Sequence, residues 1–319
     1  MARILYGILF VAGERSLLAA LYFPWRGGHA VPNAVQAPSL HSLPLPPPPR
    51  PRRYTLRNLL AMALAVVLAA AHQAGAAKPC AAANRARVAA NDECLVIRTY
   101  GESAERTSLI IFIHGDGYRG GPSDYMYPIA QIFGAKGVVA VGLIRPGYYD
   151  SKNNHSTGNS YRDRDNYRPD VIATVAAAVK VLKNHYKAEY VVLAGHSGGS
   201  AISGVIIGKY PSLVNAAVLA ACPCNVPDWR IMRRGRNNFP FSLSPHNFID
   251  KIDKKTTVVA VTGGNDGNTE PVLARDYVAR LKGKGIDATY IEVPGVGHNR
   301  ILATRAYRTA ITQLLKGRS

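Results

Sequence analysis

From Cys94 onward, short runs of β-prone apolar residues alternate with longer stretches of helical periodicity. This alternation constrains the fold more than any other feature of the chain. LIIFIHGDG (109–117), VVAVGLIRPGY (138–148), YVVLAGHSGG (190–199), NAAVLAACPC (215–224), TTVVAVTGGND (256–266) and ATYIEVPG (288–295) read as strands. Between them lie YPIAQIFGAKG, RPDVIATVAAAVKVLKNHY, SAISGVIIGKY and EPVLARDYVARLKGKG, and RILATRAYRTAITQLLKG closes the chain. The second of these has Pro near its start, apolar residues three and four apart, and Lys and His near its end, all marks of a helix. A strand that is an unbroken Val/Ile/Leu/Ala run has no polar face, so both its faces must be covered. Strands separated by helices pair in parallel. The expectation is an α/β fold in one domain, residues 77–319, with a mostly parallel central sheet and helices on both faces.

In such sheets function collects at the carboxyl ends of the strands. Four ends carry chemistry: HGDG (114–117), GHSGG (195–199), GGNDGNTEP (263–271) and PGVGHN (294–299). GHSGG satisfies G-x-S-x-G between a strand and a helix, the context in which a sharp turn exposes a nucleophilic serine. The blander reading is a glycine-rich turn. A serine hydroxyl is a poor nucleophile until a base takes its proton. His298 follows the last strand and Asp266 the one before, placed to orient an imidazole. Asp266 also reads as the centre of an Asn-Asp-Gly turn, and Asp228 and Asp253 are alternative acids. His114 and His196 read as residues that shape the site, and His155, His185 and His246 as surface residues.

With these motifs the chain resembles the α/β-hydrolase superfamily over about residues 95–316, and most of all its bacterial esterase and prolyl-oligopeptidase-like branch. HGDG, RPGYYDS, GHSGG, GGNDGNTEP and GVGH carry the resemblance. The order Ser, Asp, His along the chain is that of this superfamily. The resemblance implies that Ser197 is the nucleophile, Asp266 the acid and His298 the base. It implies an oxyanion hole made by the backbone N–H groups of Gly198 and Asp116. It also implies an α/β-hydrolase fold with a short cap insertion. The first loop reads HGDG, without the glycine run of hormone-sensitive-lipase-like enzymes.

The stretch at 225–250 separates two core strands by more than the usual connection and reads as a small lid or cap. Its Trp229, Phe239 and Phe241 are expected either to line a pocket, with Tyr118, Tyr148 and Tyr149 opposite, or to pack the loop. Arg230, Arg233 and Arg234 either favour an anionic substrate or are solvated. No β-propeller precedes the domain, which fits a small substrate in an open cleft.

The first 53 residues, with HSLPLPPPPRPRR, cannot form a regular core element and read as non-native or disordered. Residues 54–76 read as a signal peptide: a basic stretch, the apolar run LLAMALAVVLAAA (59–71), and the small residues AGAA. An uncleaved anchor is the alternative. Export to the periplasm or medium follows. Four cysteines fit that compartment, with Cys80–Cys94 and Cys222–Cys224 as expected disulfides; no metal-ligand spacing is present. Formal charge is +19, and setting aside the first 76 residues leaves 32 basic against 19 acidic residues. The basic residues are scattered, and no nucleic-acid motif accompanies them.

The expected activity is therefore exported hydrolysis of ester bonds, or amide bonds, in a small molecule through an acyl-enzyme. It needs no metal or organic cofactor and no nucleic-acid partner, and the mature chain has no stable membrane span. Alternatives on the same scaffold are a prolyl-oligopeptidase-like peptidase, an acyltransferase and a non-catalytic binding protein.

Overall fold

The computed structural model describes residue 80 and residues 83–117 and 120–316. The upstream segment (1–53), the signal-peptide segment (54–76) and Tyr118 lie outside the described residues.

The elements in order are β1 (Arg87–Ala90), β2 (Glu93–Tyr100), β3 (Ser108–Ile113), α1 (Tyr127–Phe133), β4 (Val138–Leu143), α2 (Pro169–His185) and β5 (Tyr190–His196). Then follow α3 (Gly198–Lys209), β6 (Ala216–Ala220), α4 (Val226–Arg234), β7 (Thr257–Gly263), α5 (Pro271–Gly283), β8 (Ala288–Val293) and α6 (Arg305–Leu315). Short 3-10 turns occupy Pro245–Lys251 and Arg300–Ala303.

The eight strands form one sheet in the order β1-β2-β4-β3-β5-β6-β7-β8. From β4 across to β8 every neighbouring pair is parallel. β2 runs antiparallel to both β1 and β4. The β1–β2 hairpin is the part of the sheet that the apolar-run pattern passes over. It is an edge ribbon of mixed burial, turned at Asn91 in the left-handed region, so its sequence lacks the continuous apolar signature of the central strands.

Side chains on a strand point alternately to the two faces, and β3 shows why its sequence is apolar throughout. Leu109, Ile111 and Ile113 pack into one core with residues of α2, α3 and α5. Ile110 and Phe112 pack into a second core with residues of α1 and α6. α3 is buried on nearly every side, from Gly198 to Gly208, which is why its sequence has no polar stripe. It is the central helix on which the strand-turn-helix corner after β5 is mounted.

The cap at 225–250 contains the short helix α4, which is capped by Asn225 before it and by Gly235 after it, the latter in a left-handed conformation. The cap is docked onto the domain. Arg230, 1% exposed, donates to the Phe239 carbonyl, the Asn237 side chain, Ser242 Oγ and the Asp165 carbonyl. Arg234 pairs with Asp165 at 2.7 Å, and Arg233 donates to the Gly267 carbonyl. Arg230 is buried, which corrects the expectation that it is solvated or faces the substrate, whereas Arg233 and Arg234 are exposed as the solvated alternative expects while each keeps one anchor to the domain.

Both expected disulfides are formed. Cys80 and Cys94 have Cα atoms 5.6 Å apart and tie the start of the described chain to β2. Cys222 and Cys224 bridge across Pro223 just after β6. The first closes a loop of about 15 residues, worth ~3 kcal/mol in the chain-entropy account. Cys80→Ser is expected to lower stability by about 2–4 kcal/mol, read as the shift in denaturant midpoint at constant m. An unchanged midpoint would mean that the link adds nothing to the folded state.

Candidate active site

Ser197 sits between β5 and α3 with φ 53° and ψ −120°. A non-glycine residue held there is strained, and the surroundings impose it. Its N–H donates to the Ala220 carbonyl at the end of β6. A Cβ on Gly195 would collide with the Gly199 carbonyl, and one on Gly199 with the Ile113 carbonyl. The two outer glycines of G-x-S-x-G are therefore required by close backbone approach, and the corner turns Ser197 out at the sheet's carboxyl edge.

His298 comes from the loop after β8 and Asp266 from the loop after β7. His298 Nε2 lies 2.9 Å from Ser197 Oγ. Its Nδ1 lies 2.8 and 3.0 Å from the two Asp266 oxygens. A carboxylate can only accept, so Nδ1 carries the proton, and Nε2 is left bare towards the serine hydroxyl. Asp266 is 2% exposed and is held by Thr269 Oγ1 and by the amides of Asn268 and Thr269. Burial alone would push its carboxyl up, but the hydrogen bonds from His298 and Thr269 outweigh this and hold it below the usual range. The alternative acids are elsewhere. Asp228 is bonded to Asn225, and Asp253 to Ser212 and the Lys255 amide.

Gly198 opens α3, so its N–H is among those at a helix start with no intrahelical acceptor. The loop 114–117 lies directly against this corner. A Cβ on Gly198 would collide with the Asp116 carboxylate, and one on Gly115 would fall 3.0 Å from Ser197 Cβ. The Asp116 side chain is not idle. Arg145 Nη1 donates to it at 2.7 Å and the Tyr167 hydroxyl at 2.7 Å. Burial pushes the Asp116 carboxyl up, against the opposing pull of Arg145 and Tyr167.

Of the aromatics expected either to line a pocket or to pack the loop, Tyr148 and Trp229 are packed inside the fold. Tyr148 is fully buried; its ring meets His114 edge-on and its hydroxyl donates to the Asp116 carbonyl. Tyr149 donates to the Gly120 carbonyl. Trp229 is buried in the core beneath the cap, with Nε1 donating to the Asn268 carbonyl at 2.8 Å. It braces the loop that carries Asp266. Phe239 lies half-buried against the Arg230 guanidinium, and Phe241 is exposed. His246, expected at the surface, is half-buried and bonded to Ser244 Oγ.

Sequence reasoning missed Arg145, Tyr167, Tyr125 and Thr269. Arg145 stood in the singled-out RPGY at the end of β4, and Thr269 three residues after Asp266. Tyr125 and Tyr167 carry no spacing signal.

Two histidines beside the site are buried and neutral. Burial, then the nearby His298, bring the His196 imidazole down to about 3. Burial, then Arg145, hold His114 well below its ordinary value. An unfolded histidine takes up a proton near pH ~6.5. Below that pH the unfolded chain binds protons that the folded chain refuses, so stability falls as pH drops. The limit is ~1.4 kcal/mol per pH unit for each histidine. The raised Asp116 carboxyl acts in the opposite sense, and the half-buried His246, also held low, adds to the histidine side. The Tm is expected to fall from pH 7 to pH 5, and a Tm flat over that window would contradict the buried neutral pair.

A family model described as the prolyl oligopeptidase family matches residues 129–316. No curated protein matches in sequence. Among solved structures, the Pyrococcus furiosus esterase Pf2001 is 15% identical with a TM-score of 0.56, covering 73% of this chain and 91% of that one. The acylaminoacyl peptidase of Pyrococcus horikoshii is 14% identical with a TM-score of 0.56, over 73% of this chain and 41% of that one. Est1E of Butyrivibrio proteoclasticus is 15% identical with a TM-score of 0.52, over 72% and 98%. At such identities the likeness is one of fold.

Proposed function

The chain belongs to the prolyl oligopeptidase family of serine hydrolases, and from that premise we propose that Ser197 is its nucleophile, His298 its base and Asp266 the acid that orients the base. The observation that carries this is the continuous line from Asp266 through His298 to Ser197 Oγ, with contacts of 2.8 and 2.9 Å.

As Ser197 Oγ bonds to the substrate's carbonyl carbon, its proton passes to His298 Nε2. Asp266 stabilises the resulting imidazolium. The carbonyl electrons move onto oxygen, and the amides of Gly198 and Asp116 receive that charge. The tetrahedral adduct collapses, the carbon–leaving-group bond breaks, and the leaving group takes the proton from His298. Water then repeats the sequence on the acyl-enzyme and frees Ser197.

We favour small carboxylic esters over peptides. The Asp116 carboxylate, which lies against Gly198 beside Ser197, is already engaged by Arg145 and Tyr167 and is not free to bind a peptide amine. The family itself favours the second reading, a peptidase. An acyltransferase differs only in the acceptor. Labelling residues 77–319 with a fluorophosphonate and mapping the adduct tests the triad: a single adduct on Ser197 is expected. Rates on p-nitrophenyl acyl esters and on aminoacyl p-nitroanilides then separate ester from amide hydrolysis. Anilides cleaved as fast as esters would overturn the preference, and faster acyl transfer to an added alcohol than to water would favour the transferase.

We further propose export. The segment at 54–76 and the two disulfides fit an oxidising compartment. N-terminal sequencing of protein recovered outside the cytoplasm should find a start near residue 77, and a start near Met1 would refute cleavage.

A further inference from the structure

His196, the residue before the serine, is 3% exposed, and both its ring nitrogens are bonded. Nδ1 lies 2.9 Å from the Tyr125 hydroxyl, and Nε2 lies 3.3 Å from the His298 carbonyl oxygen. The same Tyr125 hydroxyl lies 2.6 Å from the Gly115 amide nitrogen. The chemistry of the end groups fixes the direction of every bond. The Gly115 N–H can only donate, so the Tyr125 oxygen accepts there; the His298 carbonyl can only accept, so His196 Nε2 donates to it and the Tyr125 O–H points to His196 Nδ1. That nitrogen is therefore bare, and the His196 proton sits on Nε2, where it donates to the His298 carbonyl. A neutral imidazole is the form this arrangement needs, and burial keeps it neutral.

The chain of bonds starts in the loop that carries Asp116, passes through the residue before Ser197, and ends on the backbone of His298. We propose that Tyr125 and His196 are positioning residues that lock the oxyanion loop to the base, so that the two halves of the site keep one relative geometry. This rests on the triad reading above. The hydrogen bonds of the Ser197 hydroxyl and the His298 ring run along the triad itself, and His196 meets the His298 ring only side by side, with centroids 5.1 Å apart. The lock acts by keeping the amide of Asp116 and the imidazole of His298 in register while charge develops on the substrate. Its loss is expected in the chemical step rather than in binding.

Single substitutions separate the two ends of the lock. Tyr125→Phe removes the acceptor for Gly115 and the donor to His196. His196→Gln keeps a donor near the Nε2 position but loses the acceptor at Nδ1. His196→Asn keeps a group near Nδ1 but no longer reaches the His298 carbonyl. Each protein is treated with a fluorophosphonate, giving a maximal labelling rate and a half-saturating concentration, alongside its Tm. Wild type must first label on Ser197; failure there sinks the triad reading and the lock with it. With wild type labelled, Tyr125→Phe and both His196 variants should each lose about tenfold in maximal rate, with half-saturation and Tm near wild type. The Tyr125→Phe/His196→Gln double variant should be no slower than the slower single variant, because both break the same chain. Rates equal to wild type, losses confined to half-saturation, losses that track a fall in Tm, or losses that multiply in the double variant would each overturn the lock while leaving the triad standing.

Discussion

Replacing Ser197 with alanine is expected to lower turnover roughly 10⁶-fold and to abolish fluorophosphonate labelling, with little change in Tm. The substitution removes one hydroxyl, whose partner is His298 Nε2, and keeps the Cβ, so the φ 53° corner and its bond to the Ala220 carbonyl stay as they are. Rate without a nucleophile is limited to what the amides beside it and substrate binding supply. Asp266→Asn provides an independent check on the same line. Asparagine can offer its NH₂ to His298 Nδ1 and so favour the wrong tautomer, with an expected loss of about 10⁴-fold. A Ser197→Ala protein that still turns over esters at a tenth of the wild-type rate would place the chemistry elsewhere. Near-wild-type activity in Asp266→Asn would leave the pairing at 2.8 Å without a catalytic role.

Arg145→Met is expected to be the most destabilising single change near the site, by about 3–5 kcal/mol. Arg145 is 1% exposed and meets Asp116 at 2.7 Å. It also donates to the Arg164 carbonyl and lies over the Tyr148 ring. Methionine fills much of the volume but leaves the Asp116 carboxylate with only the Tyr167 hydroxyl, and an unpaired buried charge is the costly outcome. For a domain of this size the loss corresponds to a Tm drop on the order of 10 °C. The double variant Arg145→Met/Asp116→Asn removes the stranded charge and should recover more than half of the lost stability. It should not recover the rate, because the carboxylate that fixes the loop beside Gly198 has gone. A double variant no more stable than Arg145→Met would mean that Arg145 acts through packing alone.

These two predictions differ in how far the sequence announced them. Ser197, Asp266 and His298 were legible because each lies at the end of an apolar run, and parallel topology gathers strand ends on one edge. Asp116 was legible only as an amide. Its partners lie 29 and 51 residues away, and periodicity reports which face a residue occupies, not which distant residue shares it. Trp229 shows the same limit. An aromatic in a cap reads equally as pocket wall or core, and only the acceptor at Asn268 distinguishes a brace from a lining. Arg230 read as solvated or substrate-facing because composition cannot reveal that Asp165 and the Phe239 carbonyl wait beside it. The hairpin β1–β2 escaped because its mixed burial blurs the pattern that marked the inner strands.

β8 is the last strand in the sheet order, and of its residues only Ala288 is fully buried. His298, the proposed base, hangs from the loop just beyond the strand, 101 residues from Ser197. A margin strand with one neighbour is where a sheet opens first. Warming should therefore release His298 while β3, β5 and α3 remain folded. The enzyme is expected to lose activity several degrees below the temperature at which its core melts, and to regain it on cooling. Activity thus serves as a thermometer for the rim of the sheet.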